Sequence, residues 1–179
     1  MIFGKWALLA AVALALTGCG GRSQKEMTAA SYCPQPLTVQ DAQRLTRFKP
    51  GSGRDPRDVM FDAQMLGVVT QCSMSRYSME VDVVMRIAVN AGPSISGGVT
   101  RVPFFVRVLG PGDRVVQGSD QFADYKISPT SPRGVSDETM AVTLPFNELR
   151  DLGAYRIAVG LKPTPEELQY NRRGEEQRQ

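Results

Sequence analysis

Apolar residues occupy every odd position from Met79 to Val89, namely Met79, Val81, Val83, Met85, Ile87 and Val89, while Glu80, Asp82 and Arg86 lie between them. A period of two sorts side chains onto opposite faces of an extended chain, so the segment is predicted as a half-buried antiparallel strand. Leu66, Val68 and Cys72, with Thr70 between them, suggest the preceding strand. Val102, Phe104, Val106 and Val108 alternate next, and Gly110-Pro111-Gly112-Asp113 then marks a turn. Weaker strands are expected over Arg114–Gly118 and Gln121–Ile127. Two further alternating sets follow, Met140, Val142, Leu144, Phe146 and Tyr155, Ile157, Val159, Leu161.

About seven strands with turn signals between them and no strand–helix–strand rhythm predict an all-β fold. The expected form is an antiparallel immunoglobulin-like β-sandwich over residues 33–162, with a small β-barrel as the alternative. Asp151-Leu152-Gly153-Ala154-Tyr155-Arg156-Ile157 resembles the tyrosine corner of immunoglobulin-type domains, with Ile157 where such domains carry Cys. Either a last strand is missing after it, or Tyr155 opens the terminal strand. The segment 34–58 has only Leu37, Ala42, Leu45 and Phe48 as apolar points, which suit a short helix near Thr38 or an irregular strand equally. Residues 163–179 read as a short helix and a disordered tail. Thr164 can cap the helix, Pro165 fits its first position, and Glu167 completes a capping box. The sequence pattern favours a solvated end there over a docked one.

The N-terminus has a different pattern. Lys5 precedes an unbroken apolar run from Trp6 to Leu16, followed by Thr17-Gly18-Cys19. A run of about eleven residues suits a secretory signal and falls short of the roughly 20 that span a bilayer. Leu16-Thr17-Gly18-Cys19 resembles the lipobox of bacterial lipoproteins. That resemblance implies a signal peptide over residues 1–18, lipid on the Cys19 thiol, and a lipidated tether over 19–32. Gly20 stands where inner-membrane lipoproteins keep Asp, so the resemblance favours the outer membrane, facing the periplasm. One acyl chain holds a protein marginally, and two or more anchor it stably.

Cys33 and Cys72 remain once Cys19 is set aside. In an oxidising compartment a lone pair of thiols reads as a disulfide, here closing a loop of about 40 residues, with two separate buried thiols as the lesser alternative. No Cys-x-x-Cys pair points to redox catalysis.

Charge and chemistry narrow the function classes. The 179 residues carry 21 Lys and Arg against 18 Asp and Glu, a net charge of +3, too mild a balance for a dedicated nucleic-acid binder. With no His in the chain, Ser-His-Asp and Cys-His catalysis are excluded. Trp6 falls within the signal, so the exported chain lacks the residue that most often stacks on sugars. Asp55, Asp58 and Asp62 cluster, but Arg54 and Arg57 interleave with them, and the spacing is not that of a calcium loop. No phosphate loop or dinucleotide fingerprint occurs, and no catalytic residue, metal or cofactor is expected.

The most basic stretch supplies Arg44, Arg47, Arg54 and Arg57, suited to an anionic envelope polymer or an envelope partner. The loop from Asn90 to Gly98 is a second candidate for recognition. The strings Leu45-Thr46-Arg47-Phe48, Gly53-Arg54-Asp55-Pro56 and Val102-Pro103-Phe104-Phe105-Val106 resemble those of small uncharacterised proteobacterial envelope lipoproteins. That resemblance brings no activity and no site residues. The expected role is a non-catalytic binding or assembly module, held to the membrane by its lipid and recruiting an envelope protein. The alternative is a binder of lipopolysaccharide or cell wall through Arg44–Arg57.

Overall fold

A computed structural model describes residues 24–51 and 54–176, so the expected signal peptide and Cys19 lie outside the described residues. Eight strands form two four-stranded sheets packed face to face. One sheet has the order β1 (Pro36–Thr38), β8 (Arg156–Leu161), β5 (Gly98–Leu109), β6 (Val115–Ile127). The other runs β2 (Arg44–Phe48), β3 (Val59–Met74), β4 (Ser78–Ala91), β7 (Arg133–Pro145). Every pairing is antiparallel except that of β1 with β8. The sheets do not close into a barrel. The architecture is the expected sandwich, with one strand more than the pattern suggested. Its strand order is its own, because consecutive strands β2, β3 and β4 share a sheet, whereas immunoglobulin domains place their third strand opposite the first two.

The core follows from the alternation. All six odd positions of β4 from Met79 to Val89 are at most 1% exposed, and Val102, Phe104, Val106 and Val108 of β5 face them. Leu45, Leu144, Ile157, Val159 and Leu161 complete the layer. Each such side chain contributes about 1.5–3 kcal/mol by leaving water. At the far end of β6 the buried Tyr125 hydroxyl donates to the Ile87 carbonyl (3.1 Å) and meets Ser136 Oγ at 2.6 Å, linking β6 to the opposite sheet. Burial raises the pKa of this phenol. Gly134 makes room for the ring, since a Cβ there would sit 2.7 Å from it.

Four local features depart from the sequence pattern. In β3, Met65 opposes Ile87 and Gly67 opposes Arg86, so Leu66 is an extra residue in a bulge. The bulge turns Leu66 outward (54% exposed) and switches the inward set from odd to even positions, which is why Val68 and Cys72 face the core with Met65. The two weak strands expected over Arg114–Gly118 and Gln121–Ile127 are one strand, β6, which starts at Val115. β7 starts at Arg133, well before the alternating set that begins at Met140, and Phe146 lies just beyond its end. Segment 34–58 combines both expected forms: β1, a 3-10 turn over Gln40–Ala42, then β2.

Tyr155 stands just before β8, the last strand, and its hydroxyl donates to the Pro145 carbonyl at 2.9 Å, bridging the ends of the β7–β8 connection. That connection is a 3-10 helix, Leu149–Ala154, on which Asp151 accepts from the Asn147 and Glu148 amides. The backbone of Glu148 and then Asn147 holds the Asp151 carboxyl below the usual carboxylate range.

The two terminal segments are more ordered than expected. Within the supposed tether, α1 (Gln24–Tyr32) is helical, with Ala29 buried and the helix lying against β3. The supposed solvated end is α2 (Pro165–Glu176), which packs on β2. The sequence missed both dockings because each helix has little apolar surface; side-chain pairing and a sulfur contact hold them instead.

Candidate functional site: a cleft beside the C-terminal helix

The site is built by the docking of α2. Thr164 and Glu167 form the expected capping box: the Thr164 amide donates to Glu167 Oε2 (2.8 Å), and the Glu167 amide donates to Thr164 Oγ1 (3.3 Å). The other carboxylate oxygen of Glu167, a residue only 3% exposed, accepts from Arg47 Nε at 2.5 Å. Arg47 stands opposite Phe61 in the β2–β3 ladder, and its guanidinium lies 5.8 Å from that ring centre. A second contact lies further along the helix, where Tyr170 meets Phe48 edge to face at 4.9 Å. Arg54 covers the same Phe48 ring at 5.1 Å and pairs with Glu166. Asn171 Nδ2 donates to the Arg44 carbonyl at 2.9 Å, and Arg172 pairs with Asp41. The helix therefore covers β2, the edge strand of its sheet, and supplies one donor to that strand's backbone.

Between α2 and the outer face of the sheet lies an open cleft of about 760 Å³. Register sets its floor. Arg44 stands opposite Gln64, while Thr46, Asp62 and Asn90 form a row across β2, β3 and β4. Thr46 Oγ1 donates to Asp62 at 2.6 Å and fixes that carboxylate. Tyr170, Asn171 and Arg173 of α2 form one wall, and Arg54 another. Three guanidinium groups thus share the cleft with Asp62 as its one lining carboxylate among the described residues.

Of the four arginines singled out by sequence, Arg44 and Arg54 line this cleft. Arg47 is committed to Glu167, and Arg57 binds Asp55 through Nε (3.0 Å) and Nη2 (3.1 Å). The Arg57 side chain, and then its backbone amide, hold the Asp55 carboxyl below its usual range. Lys49 pairs with Asp58 at 2.7 Å, so much of the basic stretch is neutralised by its own neighbours. Asp55, Asp58 and Asp62 each face a different partner and do not converge. The loop after Asn90 is tied down by Gly92 N–H to the Met60 carbonyl (2.8 Å) and Ser94 Oγ to the Arg57 carbonyl (2.7 Å).

The sequence reading singled out the loop that begins at Asn90 but missed Gln64, Tyr170, Asn171 and Arg173. The capping box pointed to the helix that carries three of them, but nothing local said where that helix would dock. The Cys33 and Cys72 sulfurs lie 2.07 Å apart, joining the residue after α1 to β3.

On the opposite flank of the sandwich, no described strand pairs with the outer edge of β6 or β7. β6 and β7, 13 residues each, pair on one side only and border a slit of about 220 Å³ over Val106, Val108, Met140 and Val142. No protein-family model, curated protein or solved structure matches the chain.

Proposed function

We propose that the protein is a lipid-anchored, non-catalytic binding module of the bacterial envelope, tethered through Cys19 to the outer membrane and facing the periplasm. The observation that supports binding is the flank formed by β6 and β7. A 13-residue strand paired on one side leaves its outward N–H and C=O groups available, and an extended segment of a protein partner can add to them. Phe122 on β6 and Val135 on β7 are both more than half exposed and offer apolar contacts beside those edges. Charges on the same strands, Asp120 and Asp124 on β6 and Arg133 and Asp137 on β7, disfavour indiscriminate strand pairing.

The support for export and anchoring is the order of Lys5, the apolar run and Leu16-Thr17-Gly18-Cys19. Crosslinking and affinity purification of the lipidated full chain tests the binding role. A stoichiometric envelope protein is expected, and it is lost in Phe122→Lys with Val135→Lys while the melting temperature holds. Recovery of no stoichiometric protein, or of one indifferent to both substitutions, overturns the strand-addition reading. Labelled palmitate that enters the wild type and not Cys19→Ser tests the anchor separately.

A further inference from the structure

We infer that the cleft between α2 and the outer face of β2, β3 and β4 binds a saccharide carrying phosphate or carboxylate. Arg44, Arg54 and Arg173 take the anionic group, and Gln64, Asp62 and Asn90 take sugar hydroxyls. This ligand is separate from the protein partner at the β6–β7 flank, and the inference does not depend on that partner.

Three observations carry it. The first is charge: Arg44, Arg54 and Arg173 line a cleft where Asp62 is the one lining carboxylate among the described residues, and Arg44 and Arg173 have no ion pair among those residues. Cations left without an anion along one partly enclosed cleft favour an oxyanion, which can accept paired N–H bonds from a planar fork. The second is preorganisation. Arg54 is held between Glu166 and the face of Phe48, so its guanidinium needs little ordering when an anion arrives.

The third is the rest of the lining. Asp62 is fixed by Thr46 and stands between Gln64 and Asn90 on adjoining positions of the floor. A bare anion gains nothing from that carboxylate, whereas a sugar hydroxyl donates to it and accepts from the amides beside it. The volume lies within the roughly 300–1,000 Å³ usual for small-ligand sites, and the open mouth accommodates one or two units of a longer chain. Recognition through arginines and amides also suits a chain with no Trp after residue 6.

Isothermal titration of the full chain in detergent tests this with four probes: a phosphorylated glucosamine disaccharide, a disaccharide bearing the lactyl carboxylate of muramic acid, neutral chitobiose and inorganic phosphate. At least one anionic disaccharide is expected to bind at least about tenfold more tightly than chitobiose or phosphate, and whichever anion binds better identifies the source. Arg44→Gln with Arg173→Gln is expected to weaken that binding about a hundredfold, at about tenfold for each lost charged contact, with Arg101→Gln on the other sheet as an unaffected control. Gln64→Glu, which adds a like charge to the floor at an exposed position, is expected to weaken it without disturbing α2. Three results overturn the inference: no saturable binding by about 1 mM, equal binding of chitobiose or phosphate, or binding that survives both the double variant and Gln64→Glu.

Discussion

The two terminal helices solve one problem in different ways. Both are too polar to dock by apolar burial alone, and Ala29 is the one buried apolar residue among the described side chains of either. α1 sits beside the Cys33–Cys72 contact, so a covalent link to β3 stands in for a hydrophobic face. α2 has no such link and relies on a buried carboxylate, an aromatic edge and several charged pairs. The contrast teaches that attachment chemistry sets sensitivity: α1 should respond to reductant, and α2 to substitutions and salt.

Removing the link gives the largest expected effect. Cys33→Ser should lower unfolding free energy by about 3–4 kcal/mol, the chain-entropy value for a loop of about 40 residues. Denaturant curves with and without reductant check it, and a wild type insensitive to reductant would mean that the thiols are free.

The next effect falls on α2. Arg47→Ala strands Glu167, which is almost fully buried. Breaking a buried pair costs roughly 3–5 kcal/mol, and the one-third exposure of the Arg47 side chain reduces that to about 2 kcal/mol. Adding Glu167→Gln should restore much of the loss, which the double-mutant cycle measures.

Acid acts on the body between the helices instead, and so separates its charged pairs from both attachments. Asp55, Asp120, Asp137 and Asp151 all have carboxyls held below their usual range: Asp55 by Arg57, Asp120 by Lys162 and then Arg107, Asp137 by Arg86, and Asp151 by backbone amides. A lowered folded pKa means that the native state binds fewer protons than the unfolded chain. The stability from these groups is therefore complete above the ordinary carboxylate pKa near 3.9 and is lost as pH falls through the folded values. Melting temperature should drop steeply below about pH 4. At neutral pH, high salt should weaken the exposed Arg54–Glu166 and Arg172–Asp41 pairs by no more than about 1 kcal/mol each, leaving α1 in place.

The smallest effect belongs to Leu66. A leucine buried in a strand costs roughly 2–5 kcal/mol when cut to Ala, yet Leu66→Ala should stay within about 0.5 kcal/mol because the bulge turns it outward.

Leu66 also marks how far the sequence could be read. Alternation located β4, β5 and β8 because each presents one face to the core without interruption. A bulge inserts one residue and reverses the faces, and a single sequence carries no sign of it, so β3 could be placed but not oriented throughout. β6 divided in two because its first half faces solvent on both sides, leaving no pattern to follow. The capping box of α2 was legible, being made of residues three apart. The cleft was not, since Arg44, Gln64, Asn90 and Arg173 come from four elements that only the register of the sheet and the docking of the helix bring together.

β3 also acts as a spacer. Cys72, where the N-terminal segment joins the body, and Asp62, on the floor of the cleft, are ten positions apart on one strand, a separation of about 30 Å. That strand is hydrogen-bonded to β4 along its length, so the interval between the disulfide and the cleft floor is set by a stiff rod rather than by a slack cord.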